Sequence, residues 1–195
     1  MKTDASPKVQ RFEEEWARYR AGCPPIAWML RAYDAVPWLR FHALPESKRY
    51  PESKAERAIV LSRANELGER VLGPGTSTWQ IETLFKMPAE ADAMPATTRV
   101  SGAGELAGEV PDPDNPGERW EYYITESRWR AGAFDRLLIE ITKVRPKRIM
   151  WFSRQNGAAF APYDGGFDIF PSSFEDIAAL KRDYADWLSP HPGGL

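Results

Sequence analysis

The chain has almost no cysteine: Cys23 stands alone among 195 residues. A lone thiol excludes an intramolecular disulfide framework and a cysteine-rich zinc site. Histidine is nearly as scarce, with His42 and His191 only. Long hydrophobic runs are missing too. Stretches such as Ile26-Ala27-Trp28-Met29-Leu30 fall far short of the ~20 apolar residues of a membrane helix. The start, Met1-Lys2-Thr3-Asp4-Ala5-Ser6-Pro7, lacks the apolar core of a signal peptide. These absences point to a cytoplasmic protein with no membrane partner. Nor is there an excess of one charge: 26 Lys+Arg face 28 Asp+Glu, a net of −2. A dedicated nucleic-acid binder is normally strongly basic, so the balance argues against one. There is no Gly-x-Ser-x-Gly, no His-Glu-x-x-His and no Walker loop. No cofactor and no metal site is implied.

What is present is a globular composition rich in aromatics. Hydrophobic residues make up 43% and aromatics 12%, with eight Trp, enough for a sizeable core. At ~100–200 residues per domain, residues 1–195 read as a single domain with an N-terminal helical segment at 1–35. Acid is concentrated in one place. Residues 88–118 hold Glu90, Asp92, Glu105, Glu109, Asp112, Asp114 and Glu118 against Arg99, together with Pro88, Pro95, Pro111, Pro113 and Pro116. No apolar period runs through them, so the segment reads as a long acidic Pro/Gly-rich loop. Gly102, Gly104 and Gly108 within it imitate a nucleotide loop, without a preceding strand or a following capped helix.

Periodicity supplies the elements. Residues 6–21 read as a helix through Phe12, Trp16 and Tyr19, and 25–34 as a second short one after Pro24-Pro25. Residues 38–44 read as a strand. Ser53 and Glu56 form a capping box for a helix over 53–72, stopped by Gly73-Pro74. Residues 78–85 and 119–125 alternate as strands, 133–143 are helical, and 148–153 form a dense apolar strand. Asn156-Gly157 suits a type I′ hairpin turn into 158–161. A short strand at 168–170 precedes a last helix over about 173–188, with a Ser172–Glu175 capping box. This order predicts an α+β fold: a mostly antiparallel sheet, helices packed on one face, and the N-terminal helical segment.

Two segments carry a resemblance. One is Leu44-Pro45-Glu46-Ser47-Lys48-Arg49-Tyr50 after a strand; the other is Tyr163-Asp164-Gly165-Gly166-Phe167-Asp168 before a terminal helix. Together they resemble an uncharacterised bacterial family of the domain-of-unknown-function kind. It is marked by a Leu-Pro-x-Ser-Lys-Arg-Tyr turn and a Tyr-Asp-x-Gly-x-Asp loop. The resemblance implies a small cytoplasmic bacterial protein and supplies no catalytic residues.

Candidate site residues fall in the same two segments. Arg40 and His42 share one face of the 38–44 strand, next to a turn bearing Ser47, Lys48, Arg49 and Tyr50. Such a cluster of donors suits phosphate or carboxylate, with His42 as a general acid or base. The structural alternative has these residues pinning a turn. Asp164 and Asp168 offer two carboxylates for acid/base work or a hard cation, or simply build a turn. The basic run Lys143, Arg145, Lys147, Arg148 reads as a solvated strand edge.

Two functional readings follow. The first is a binding protein without catalytic activity, of the toxin-neutralising immunity type. Its acidic 88–118 segment would meet a basic protein partner. The alternative is a small enzyme or ligand-binding domain with an anion pocket around Arg40, His42, Lys48 and Arg49. That alternative requires Arg40 and Arg49 to converge with Asp164 and Asp168, more than a hundred positions away.

Overall fold

The computed structural model describes residues 5–86, 104–143 and 148–188. Helix α1 (Pro7–Arg20) begins where the Ser6 hydroxyl accepts from the Val9 N–H, with Pro7 as its first residue. Helix α2 (Ala27–Leu30) is a single short turn. Helix α3 (Lys54–Leu72) has the expected Ser53–Glu56 capping box and ends at Gly73, whose φ of +92° favours glycine. Helix α4 spans Asp135–Ile141 and α5 spans Phe174–Asp183. The box starting α5 is Ser173–Asp176, one position after the expected Ser172–Glu175. The two serines and two acids allow either register, and here the Ser173 N–H donates to the Asp176 carboxylate at 3.2 Å.

The strands are β1 (Leu39–His42), β2 (Ser77–Lys86), β3 (Glu105–Pro111), β4 (Arg119–Arg128), β5 (Arg148–Ser153), β6 (Ala159–Tyr163) and β7 (Gly166–Phe170). They form one sheet in the order β1-β7-β6-β5-β2-β4-β3, antiparallel at every junction. The fold is α+β, as the sequence predicts.

Alternation splits the core into two layers. Leu39, Phe41, Ile149, Trp151, Phe160, Phe167 and Ile169 face α3, α4 and α5. Trp79, Ile81, Met150, Phe152 and Ala159 face the other way, against Phe12 and Trp16 of α1 and Leu30 of α2. The N-terminal helical segment therefore covers the face that the other helices leave open. It is held there by ionic contacts as well: Glu15 accepts from Arg154 at 2.7 Å and from the Trp79 indole at 2.6 Å. No described helix is long and apolar enough to cross a membrane.

Two local expectations change. The acidic stretch is not loop throughout, because residues 105–111 form β3 on the outer side of β4. Its apolar alternation is weak since it is an edge strand, and a β-bulge between Leu106 and Gly108 shifts its register. The portion at 88–103 lies outside the described residues. The β5–β6 turn is not type I′ either. Gly157 has a φ of +72° but Asn156 has no positive φ, and type I′ needs both. The link is instead a loop over Arg154–Gly157, closed by Ser153 N–H to Ala158 C=O at 2.8 Å. The Asn156 side chain ties this loop to α3, donating to the Val71 carbonyl at 3.2 Å and accepting from the Ala158 N–H at 3.0 Å.

Candidate functional site

The face of the sheet under α2 contains a cavity of about 370 Å³, within the usual size range of small-molecule sites. Register explains its floor. Thr83 pairs with Arg148 and Ile81 with Met150 across β2 and β5. Ala161 pairs with Asp168 across β6 and β7, and Arg40 with Asp168 across β1 and β7. All these positions alternate onto one face. Ala161 is small, which leaves the floor open above it. A Cβ at Gly166 would lie 2.2 Å from the Phe41 carbonyl oxygen, so the close approach of β1 to β7 requires glycine. Pro25, Ile26, Trp28 and Arg31 form the roof, and Arg49 and Tyr50 the rim.

The charged groups fall into two kinds. Two arginines are clamped by carboxylates. Arg40 donates to Asp168 through Nε at 2.8 Å and Nη2 at 3.2 Å, and the Trp38 indole donates to the same carboxylate at 3.1 Å. Arg49 donates to Asp164 through Nε at 2.9 Å and approaches it through Nη2 at 2.7 Å, with Tyr50 Oη donating at 3.1 Å. Both aspartates are buried. Burial disfavours the Arg40 cation, but the bonds to Asp168 outweigh it and hold the guanidinium more firmly protonated than usual.

The other two arginines have no such clamp. Arg31 approaches Asp168 only to 3.9 Å, and its buried Nε has no hydrogen-bond partner among the described residues. Arg148 rests over the Trp120 ring at 4.7 Å, and Arg31 lies 5.7 Å from the Trp38 ring centre. A cation–π contact takes up none of a guanidinium's N–H donors. Although Arg148 is exposed by surface area, the protein packed around it, followed by the repulsion of Arg31, lowers its proton affinity. Burial pushes the Tyr163 hydroxyl up to about 12, so it stays protonated.

The structure brings together Arg40, Arg49, Tyr50, Asp164 and Asp168, and leaves His42, Ser47 and Lys48 outside the cavity lining. Lys48 turns away to Glu52 at 2.9 Å and Glu56 at 2.7 Å. That bond and the helix cap bring the Glu56 carboxyl down to about 2. His42 Nε2 lies 3.2 Å from Ser47 Oγ, in a turn where Glu46 and Ser47 have φ of +55° and +56°. Burial, then Arg40 and Arg63, lowers the His42 proton affinity.

The sign of the resulting pH effect is fixed. With the folded-state value below the unfolded one, the unfolded chain binds more protons, so the His42 contribution is present above pH ~6.5 and is lost as pH falls below it. Urea unfolding between pH 7 and 5 is expected to show this loss, and His42→Gln to flatten it. A His42→Gln profile parallel to that of the natural chain would assign the slope to other groups.

Sequence reasoning missed Arg31 and Arg148. The basic run reads as a solvated strand edge, yet Arg148 opens β5 two positions before Met150, which puts both on the floor's face. That alternation was the available signal; its meaning depended on which strand lay beside β5. Arg31 follows Trp28 by three residues, a spacing that sets both on one side of a helical turn. Among the described residues, no group of three or more His, Cys, Asp or Glu is placed to hold a metal ion.

No curated protein and no solved structure matches the chain. Every cavity residue named above except Pro25 lies within residues 26–192, which match the family described as Domain of unknown function (DUF3885), and the chain belongs to that family.

Proposed function

We propose that this protein binds a small anionic molecule in the cavity between α2 and the sheet. The observation that carries this reading is the pair Arg31 and Arg148. Both line one cavity, and neither donates a hydrogen bond to a carboxylate among the described residues. A cation that no carboxylate clamps, held by aromatic faces on a partly apolar floor, is arranged for a ligand rather than for packing. Asp164 and Asp168 anchor Arg49 and Arg40 instead of standing ready for proton transfer, so the reading is ligand binding rather than catalysis.

The reading of a basic protein partner rests on the acidic segment, and much of its described charge is already engaged. Glu105 pairs with Lys8 at 3.8 Å and Glu109 with Arg119 at 3.0 Å. Asp112 accepts from the Trp120 indole at 2.7 Å and from backbone N–H groups of its own turn. The cavity is the better supported site.

The test is thermal unfolding with phosphate, sulfate and chloride at matched ionic strength. Phosphate or sulfate is expected to stabilise the fold beyond chloride, by about 2.7 kcal/mol at 100 times the dissociation constant. An Arg31→Gln, Arg148→Gln double variant should fold and lose the effect. Equal shifts for all three salts, or an undiminished shift in the double variant, would remove the pocket.

A further inference from the structure

Resting on the anion-pocket reading, we infer that the ligand is a dianion on an apolar body, a soluble phosphate monoester with an aliphatic or aromatic group. The charged side chains among the described lining residues are four arginines and two aspartates. Arg40 and Arg49 are matched by Asp168 and Asp164, which leaves an excess of two positive charges on Arg31 and Arg148. A monoanion would leave one of them uncompensated in a partly desolvated space, and a dianion leaves none. The like charges of Arg31 and Arg148 are close enough to act on each other. Both line the one cavity, so a head carrying two negative charges offsets the excess within it, and the planar guanidinium fork matches phosphate oxygens in pairs.

Much of the rest of the lining is apolar: Ile26, Ile81, Met150, Ala161 and Pro162, with the Trp28 ring above, beside the hydroxyl-bearing Tyr50, Thr83 and Tyr163. Inorganic phosphate alone would leave that surface facing water. An apolar group attached to the phosphate would cover it, and the size of the cavity, about 370 Å³, leaves room beyond the head group for such a body. The cavity is roofed by α2 rather than spread over a flat surface, which favours a soluble molecule over a bilayer.

The experiment compares two probes of nearly one shape, phenyl phosphate and phenyl sulfate, by isothermal titration at pH 8. The phosphate is a dianion there and the sulfate a monoanion. Phenyl phosphate is expected to bind at least about tenfold more tightly than phenyl sulfate, and more tightly than inorganic phosphate. Arg148→Gln, at an exposed position, should reduce the preference over the sulfate to near parity, whereas Arg148→Lys should retain part of it. Equal affinity for the two phenyl probes would overturn the dianion assignment and leave the anion pocket standing. Inorganic phosphate binding as well as phenyl phosphate would overturn the apolar body. Failure of every anion to bind would remove the pocket itself. Vesicles containing phosphatidic acid present the same head group. Sedimentation of the protein with them, abolished by Arg148→Gln, would overturn the soluble source in favour of a lipid.

Discussion

Replacing Trp151 by Ala is expected to lower stability by about 3–5 kcal/mol, a large share of a margin that is typically about 5–15 kcal/mol. Trp151 lies on β5, fully buried, at the centre of an aromatic cluster. Its ring centre is 5.2 Å from Trp129, 5.0 Å from Phe134 and 6.2 Å from Phe160. Trp129 in turn fills the space over Gly68 of α3, where even a Cβ would come within 2.0 Å of the indole. Helix, sheet and the start of α4 thus close on one another through these rings, and the neighbours have little freedom to collapse into a void. Among the described residues the indole N–H of Trp151 has no hydrogen-bond partner, and a buried donor left unmet costs about 1–3 kcal/mol. Trp151→Phe removes that donor while keeping a ring, so it should cost far less than Trp151→Ala. Urea midpoints at constant m measure both. A loss below ~1 kcal/mol in Trp151→Ala would place β5 at the periphery.

The strength of the local patterns decided what was legible. Ser53–Glu56 with Gly73, the alternation of β2 and β4, and the apolar density of β5 are each contained within a few residues, and each element formed where it was expected. β3 escaped because an edge strand buries little. Its sequence carries acids and a glycine where a central strand would carry apolar residues, and β4 supplies the partner. The site was half legible. Arg40, Arg49, Asp164 and Asp168 stood out as charged groups beside tight turns, and they meet in space because β1 pairs with β7. Arg148 and Arg31 did not stand out. Their meeting depends on β5 lying inside the sheet and on α2 crossing that face, facts about topology that no short window of sequence contains. Lys48 misled for the opposite reason. Its sequence neighbours suggested a shared cluster, while Glu52 and Glu56, four and eight residues on, were its actual partners.

Replacing Asp168 by Ala is expected to cost about 3–5 kcal/mol, because it leaves a buried cation without its counter-charge. The Arg40 side chain is only 12% exposed, so water compensates the lost carboxylate poorly. The Trp38 indole loses its acceptor at the same time. Removing the cation together with the anion, in an Asp168→Ala, Arg40→Met double variant, should recover much of the loss, a coupling that a double-mutant cycle reads directly. Asp168→Asn is the more informative single change. Its amide oxygen still accepts from Arg40 Nε or the indole, so the fold should survive with an intermediate loss. It also raises the charge excess of the cavity from two to three. Baseline stability and phosphate-linked stabilisation should therefore move in opposite directions: the urea midpoint falls in buffer alone, and the increment gained on adding phosphate grows. A smaller phosphate increment together with the lower midpoint would show that Asp168 organises the anion site through geometry rather than limiting it through charge. A loss below ~1 kcal/mol in Asp168→Ala would mean that Arg40 is solvated and needs no anchor.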